Sequence, residues 1–177
     1  MKSLINRLTE QFKVSLEKQT KSDLCFIRVN KDDAEQLIRH CRDHESYTHL
    51  SFLTAIDRIE DNKFTLTYLL HNYQSHQSLG VHVELDRENP VMHSLHRLWG
   101  QMATYQRELK EIYGIEFPGS PRLNDEFFLE GWDQIPPMRK EFSTVEFCEE
   151  RFPIREGRQS TDAKQTMKVE IYPGRGE

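Results

Sequence analysis

Three segments in the middle of the chain leave it little choice but to build a β-sheet. HLSFLTAIDRIE (residues 49–60), KFTLTYLLHNY (63–73) and SLGVHVELDR (78–87) are each rich in β-branched and aromatic side chains. They are bounded by Asp61-Asn62, Ser75-His76-Gln77 and Glu88-Asn89-Pro90, residues that turn a chain or stop a strand. Asp61-Asn62 reads as a tight hairpin turn. Ahead of them, LCFIRVN (24–30) reads as a further strand. Asn30 then stands as an N-cap, and Asp32 and Asp33 fall in the first turn of a helix, where carboxylates suit the dipole. Ala34, Leu37, Ile38 and Cys41 make that helix's apolar stripe, ending near His44. Leu4, Ile5, Leu8, Phe12 and Leu16 recur at helical spacing, which predicts one amphipathic helix over residues 2–19. The fold class that follows is α+β: a small mixed or antiparallel sheet packed against helices.

The texture changes at Asn89. Residues 93–99, with Leu95, Leu98 and Trp99, read as a short apolar helix. Gln101 to Tyr113 is a better one: Met102, Tyr105, Leu109, Ile112 and Tyr113 line one face, and Gly114 follows as a C-cap. Beyond Gly114 no regular element longer than a few residues is expected, and Pro118, Pro121, Pro136, Pro137, Pro153 and Pro173 punctuate the sequence. The organisation expected is a globular α+β domain over residues 1–117, an extended proline-rich docking segment over 118–154, and a tail over 155–177. The tail, poor in apolar side chains, is expected to order only on a partner.

The 177 residues carry a net charge of −5, with 36% hydrophobic and 30% charged side chains. The mean hydropathy is −0.76 and the isoelectric point is near 5.9. An acidic protein has neither the basic footprint of a nucleic-acid binder nor a polybasic membrane signal. Cys25, Cys41 and Cys148 are odd in number and far apart, so they read as reduced thiols of a cytoplasmic protein. The N-terminus lacks the features of a secretory signal, and no apolar run is long enough to span a bilayer.

Chemistry is sparse. His40 and His44 lie four apart with His49 beyond them, and two histidines at that spacing can share a metal. A zinc site needs three or four ligands, however, and no Glu or second Cys stands in the right place, so surface histidines are the cheaper reading. GxSxG, GxGxxG and the P-loop pattern are all absent. Nothing reads as a self-sufficient active site.

Two stretches remain. YQRELKEIYGIEFPGSPRL (105–123) takes a charged helix straight into a Gly- and Pro-rich segment, and GWDQIPPMRKEF (131–142) sets Trp132, Met138 and Phe142 around Pro136-Pro137 and Arg139-Lys140. On a helix Arg107 and Glu111 are i,i+4 and can pair. Pro136-Pro137 favours an extended backbone. An extended segment with aromatic and Arg anchors is the composition of an interface core. Together the two stretches resemble the C-type subunit family of respiratory complex I (NADH-quinone oxidoreductase), which includes the related subunit of membrane-bound nickel–iron hydrogenases and formate hydrogenlyases. Arg107, Glu108, Glu111, Ile112, Tyr113, Gly114, Ile115, Phe117, Gly119, Pro121, Pro137, Arg139, Lys140 and Phe142 match that family's pattern. Gln106 stands where the family has Glu, Ser120 where it has His, Met138 for Leu and Glu141 for Asp.

The resemblance implies a non-catalytic structural subunit of the hydrophilic arm, held peripherally on the cytoplasmic side of the inner membrane. It implies no cofactor on this polypeptide; partner subunits would carry iron–sulfur (Fe-S) clusters and a flavin (FMN) or nickel–iron centre. The partner implied is the large catalytic subunit, of the D type found in complex I or of the hydrogenase type. Partner-binding residues are then Arg107, Glu108, Glu111, Gly114, Ile115, Phe117, Pro121, Trp132, Pro137, Arg139, Lys140 and Phe142. Arg139 and Lys140 are expected to reach groups on the large subunit, so that Arg139→Ala would lose assembly while the isolated domain kept its melting temperature. A stand-alone adaptor and a small metal enzyme using His40, His44 and His49 are the competing readings.

Overall fold

The computed structural model describes residues 2–152. In sequence order it has α1 (Lys2–Gln11), β1 (Val14–Gln19), β2 (Leu24–Val29), α2 (Lys31–Asp43), β3 (His49–Arg58), β4 (Lys63–Asn72), β5 (Gln77–Asp86), α3 (Met102–Tyr113) and α4 (Thr144–Arg151). The five strands form one sheet in the order β1-β2-β5-β4-β3. β3, β4 and β5 are an antiparallel meander, β2 lies parallel to β5, and β1 returns antiparallel to β2. The class is α+β with a mixed sheet, as expected.

Register explains the core. Ala55, Leu66 and Val83 lie abreast across β3, β4 and β5, and Ile27 of β2 lies beside Val81. These side chains are buried in one cluster with Leu4, Ile5 and Leu8 of α1, Leu37, Ile38 and Cys41 of α2, and Met102 and Leu109 of α3. The alternate positions make the other face. There Phe52 and Ile56 are exposed, and Arg28 bridges Glu17 and Glu84 while Lys63 also holds Glu84. Phe26 lies over Gly80, where an added Cβ would sit 2.2 Å from its ring, so only glycine leaves room for that ring. Burial lifts the Cys41 thiol to about 12 and raises Cys25 as well.

Three local expectations are corrected. The helix predicted over residues 2–19 ends at Gln11, and residues 14–19 are an edge strand instead. Leu4, Ile5 and Leu8 are buried whereas Leu16 is exposed, because Val14–Gln19 pairs with β2 across a bulge at Leu16/Lys18. Residues 93–99 form a turn, not a helix, in which Leu98 N–H meets the Leu95 carbonyl. Trp99 is drawn off to the edge strand, where its indole N–H donates to the Thr48 carbonyl at 2.7 Å. Gln101 and Tyr105 donate to the Leu50 and Ser51 carbonyls, so three side chains cover one end of the β3 edge. Past Gly114 there is a regular element after all: α4. Ser143 is its N-cap, with its hydroxyl accepting the Glu146 N–H, in the Ser-x-x-Glu pattern of a capping box. Asn30 is the N-cap of α2, as expected, through its carbonyl, which accepts from Asp33 N–H; its side chain makes no cap bond.

The turn after β3 follows expectation: Asn62 takes the left-handed conformation, φ 52°, that asparagine tolerates. The protein divides into two units, residues 1–140 and residues from 141 on. The expected boundary at residue 117 has no counterpart in this division, since residues 118–140 are bonded back onto α3 and β3 as described next. Pro153, Pro173 and the tail over 155–177 lie outside the described residues.

Candidate docking site

The site is built on the C-terminal end of α3. A helix leaves its last carbonyls without intrahelical partners, and here they are met from two directions. Gly114, at φ 75°, turns the backbone in the left-handed region and donates to the Lys110 carbonyl at 2.8 Å, while Ile115 N–H reaches Leu109 at 3.5 Å. From the far end of the next loop, Met138 N–H donates to the Ile112 carbonyl at 3.0 Å and Arg139 Nε to the Tyr113 carbonyl at 2.8 Å. The Arg139 guanidinium thus sits where the helix dipole favours a cation. Pro136 and Pro137 therefore lead into a turn, closed by Arg139 N–H on the Pro136 carbonyl, rather than an extended run.

Arg139 also lies over the ring of Phe64, 5.2 Å from its centroid, with Arg87 5.8 Å from the same ring. Arg87 forks onto Asp57 at 2.7 and 3.0 Å, and Asp57 accepts the Lys140 backbone N–H at 2.9 Å. Asp57 is only 6% exposed. Burial alone would raise its carboxyl, but the Arg87 and Lys140 hydrogen bonds outweigh it and hold the group below the usual aspartate range. Lys140 Nζ meets the exposed Glu60. Arg139 and Lys140, expected to reach outward, are thus engaged within this unit. Arg139→Ala is accordingly expected to lower the melting temperature of the unit itself.

Glu111 has a role that its spacing from Arg107 does not signal. Its carboxylate accepts three successive backbone N–H groups, Phe127 at 2.5 Å, Phe128 at 3.0 Å and Leu129 at 3.1 Å. Arg107 instead stacks on Phe127, 5.0 Å from the ring centroid. Lys110 ties Glu116 and Asn124 to the same helix. The loop from 118 to 135 has no strand or helix, yet its backbone is held to α3 at several points.

The other expected residues fall into two groups. Ile115 and Phe117 are wholly buried, so their side chains belong to this protein's own core, and Gly114 acts through its backbone. Pro121 is exposed, whereas Glu108, Trp132 and Pro137 are half-buried. Trp132 donates its indole N–H to the Ile135 carbonyl. Phe142 belongs to the second unit, where it packs on Phe147 with ring centroids 5.5 Å apart. Gln106, in the family's acidic position, is wholly buried and accepts from the Ser94 hydroxyl at 2.7 Å. A neutral amide suits that burial better than a carboxylate does. The pairing of Asp57 with Arg87 has no local signal in the sequence, because it spans 30 residues. His40 and His44 stack with ring centroids 5.0 Å apart, and His49 lies instead beside Tyr73. Among the described residues, no three His, Cys, Asp or Glu are grouped to hold a metal.

Gly114→Ala tests the cap. The new Cβ would meet Pro136 Cγ at 3.2 Å and Arg139 Nη2 at 3.3 Å, at a φ that only glycine adopts cheaply. Chemical denaturation is expected to show a loss of about 1–2 kcal/mol, with faster exchange of the Met138 amide. Slow exchange retained at Met138 would mean that the loop holds without the cap.

The first unit is thus a mixed five-stranded sheet with a long loop bonded to the end of its last core helix. The sequence matches the family described as respiratory-chain NADH dehydrogenase, 30 Kd subunit, over residues 27–147, and the protein belongs to that family. The C-type NADH-quinone oxidoreductase subunit of Moorella thermoacetica is 29% identical over 147 residues, covering 80% of this sequence and 95% of that one. The fused C/D-type NADH-quinone oxidoreductase subunit of Aquifex aeolicus is 25% identical over 142 residues, covering 80% of this sequence but 24% of the fused one. A polypeptide in the structure of the membrane-bound sulfane sulfur reductase, an archaeal respiratory membrane complex, superposes with a TM-score of 0.78 at 17% identity, covering 91% of this protein and 96% of that polypeptide. The last likeness concerns the fold. Family membership makes this protein a non-catalytic subunit of a complex I-type, multi-subunit oxidoreductase. No helix among the described residues is long and apolar enough to cross a membrane.

Proposed function

We propose that this protein docks the large catalytic subunit of a complex I-type redox complex, peripherally and on the cytoplasmic side of its membrane. It carries no cofactor itself; iron–sulfur clusters and a flavin or nickel–iron centre reside in partner subunits. The observation that carries this reading is the Aquifex relative, in which the C and D parts share one polypeptide. A covalent fusion keeps the two parts within reach of one another. The geometry supports it: residues 118–140 have a pinned backbone yet leave Phe128, Ile135 and Met138 57%, 44% and 55% exposed. Apolar side chains held out on an ordered loop are what an interface needs and what a solvated surface avoids.

Affinity isolation of the tagged protein from native membranes in mild detergent, with mass spectrometry of its partners, tests the proposal. A large subunit of the D type together with a flavin-containing NADH-oxidising subunit is the expected result. A large subunit retaining nickel-binding cysteines would assign the protein to a hydrogenase-type complex instead, a branch that the relaxed signature at Gln106 and Ser120 accommodates. Recovery without any redox subunit would overturn the docking role.

A further inference from the structure

We infer that Arg107 is the receptor for an acidic side chain of the large subunit, in a cavity between α3 and the loop above it. The cavity is about 290 Å³ and is lined by five charged side chains, Arg107, Lys110, Glu111, Asp125 and Glu126. Four of them are satisfied inside the unit: Lys110 by Glu116 and Asn124, Glu111 by three N–H groups, Asp125 by Arg122, and Glu126 by the Gly131 N–H. Arg107 differs. Its guanidinium is stacked on Phe127, its Nε is buried without a hydrogen-bond partner, and among the described residues no carboxylate pairs with it. Stacking fixes the plane of a fork whose N–H groups are preset for a carboxylate.

The surroundings select the source of that carboxylate. Trp132 and Pro136 wall the cavity, and the exposed Phe128, Ile135 and Met138 flank it along the loop. An Arg and a Trp in a central pocket within an apolar surround is the arrangement that dominates binding at protein interfaces. A free small carboxylate would gain nothing from that surround, whereas a protein surface carrying an Asp or Glu would cover all of it. The inference rests on the docking role proposed above and names the contact through which it operates.

The test uses the assembled complex. Arg107→Gln is expected to lower the melting temperature of this subunit by no more than about 4 °C, since the side chain makes no hydrogen bond here and loses only its stack on Phe127. Dissociation from the large subunit should quicken by about tenfold or more, with a weaker dependence on salt. In the Arg107→Lys complex, carbodiimide is expected to join the new amine to an Asp or Glu of the large subunit as an amide, located by peptide mass spectrometry. Unchanged dissociation in Arg107→Gln, an amide formed only to a carboxylate of this same polypeptide, or no amide at that position would each overturn the inference while leaving docking intact. Wild-type protein that fails to bind any large subunit would instead overturn the docking role, and this contact with it.

Discussion

Asp57→Ala is expected to lower the unfolding free energy by about 3 kcal/mol, the scale of breaking a buried ion pair from one side, and the melting temperature by roughly 10 °C. Asp57 stands on β3 with its side chain turned inward, 6% exposed, and takes both prongs of the Arg87 fork. The Arg87 side chain is itself only 11% exposed, so its charge cannot turn to bulk water when the carboxylate goes. The same carboxylate holds the Lys140 N–H, so the turn that carries Arg139 onto α3 loosens at the same time. Asp57→Asn keeps the shape and an acceptor but not the charge, and falls between the two. Thermal and urea unfolding of the three proteins measure it. A melting temperature for Asp57→Ala within about 2 °C of wild type would show that the fork adds nothing net.

The pH dependence has the same origin and a definite sign. Glu17, Glu45, Asp57 and Glu84 all lie below their usual carboxylate values. For Glu45 and Glu84 the first cause is a hydrogen bond, from Arg7 and from Lys63. For Glu17 and Asp57 it is burial, acting upward and outweighed by His82 with Arg28 and by Arg87 with Lys140. A group whose folded value is depressed binds protons more readily when unfolded. Its contribution is present above the unfolded value and is lost as the pH falls through the folded one. Stability is therefore expected to hold from neutrality down to the ordinary carboxylate range and to fall steeply below it. Urea midpoints at stepped pH check this, and the Asp57→Asn protein should show a shallower fall.

The strands from His49 to Asp86 and the helix from Met102 to Tyr113 were legible because local pattern and tertiary role agree there. Ten-residue β-rich runs with turn residues between them have no competing reading, and Gly114 marks its helix end unambiguously. β1 was not legible, because Phe12 and Leu16 continue a helical spacing that only pairing with β2 overrules. The parallel pairing of β2 with β5 has no local signal. α4 had one, Ser143 followed by Glu146, which the proline punctuation around it obscured. At the site, the residue types were readable but their directions were not. Arg139 and Lys140 look like reaching cations until the backbone folds back 26 residues to Tyr113 and 83 to Asp57.

Glu111→Ala is the sharpest test of the loop held on α3, with an expected loss of about 2–3 kcal/mol from three charge-assisted bonds at a half-exposed site. Phe127, Phe128 and Leu129 point their N–H groups at one carboxylate, an arrangement a loop without secondary structure needs if its backbone is to stay ordered. Hydrogen exchange at those three amides should rise to that of open loop, while the β4 and β5 amides stay protected. The alternative is the i,i+4 pair with Arg107 that the spacing invites. Were that the holding interaction, Glu111→Gln and Arg107→Gln would each cost only a few tenths of a kcal/mol and the three amides would stay protected in both. Three N–H donors on Glu111 demand the opposite asymmetry. Glu111→Gln, which sets an NH2 group against backbone donors, should free the loop, whereas Arg107→Gln should leave it in place. Under the docking role proposed above, binding to the large subunit would then weaken in both variants for different reasons, through loss of the ordered surface in the first and loss of the cation in the second.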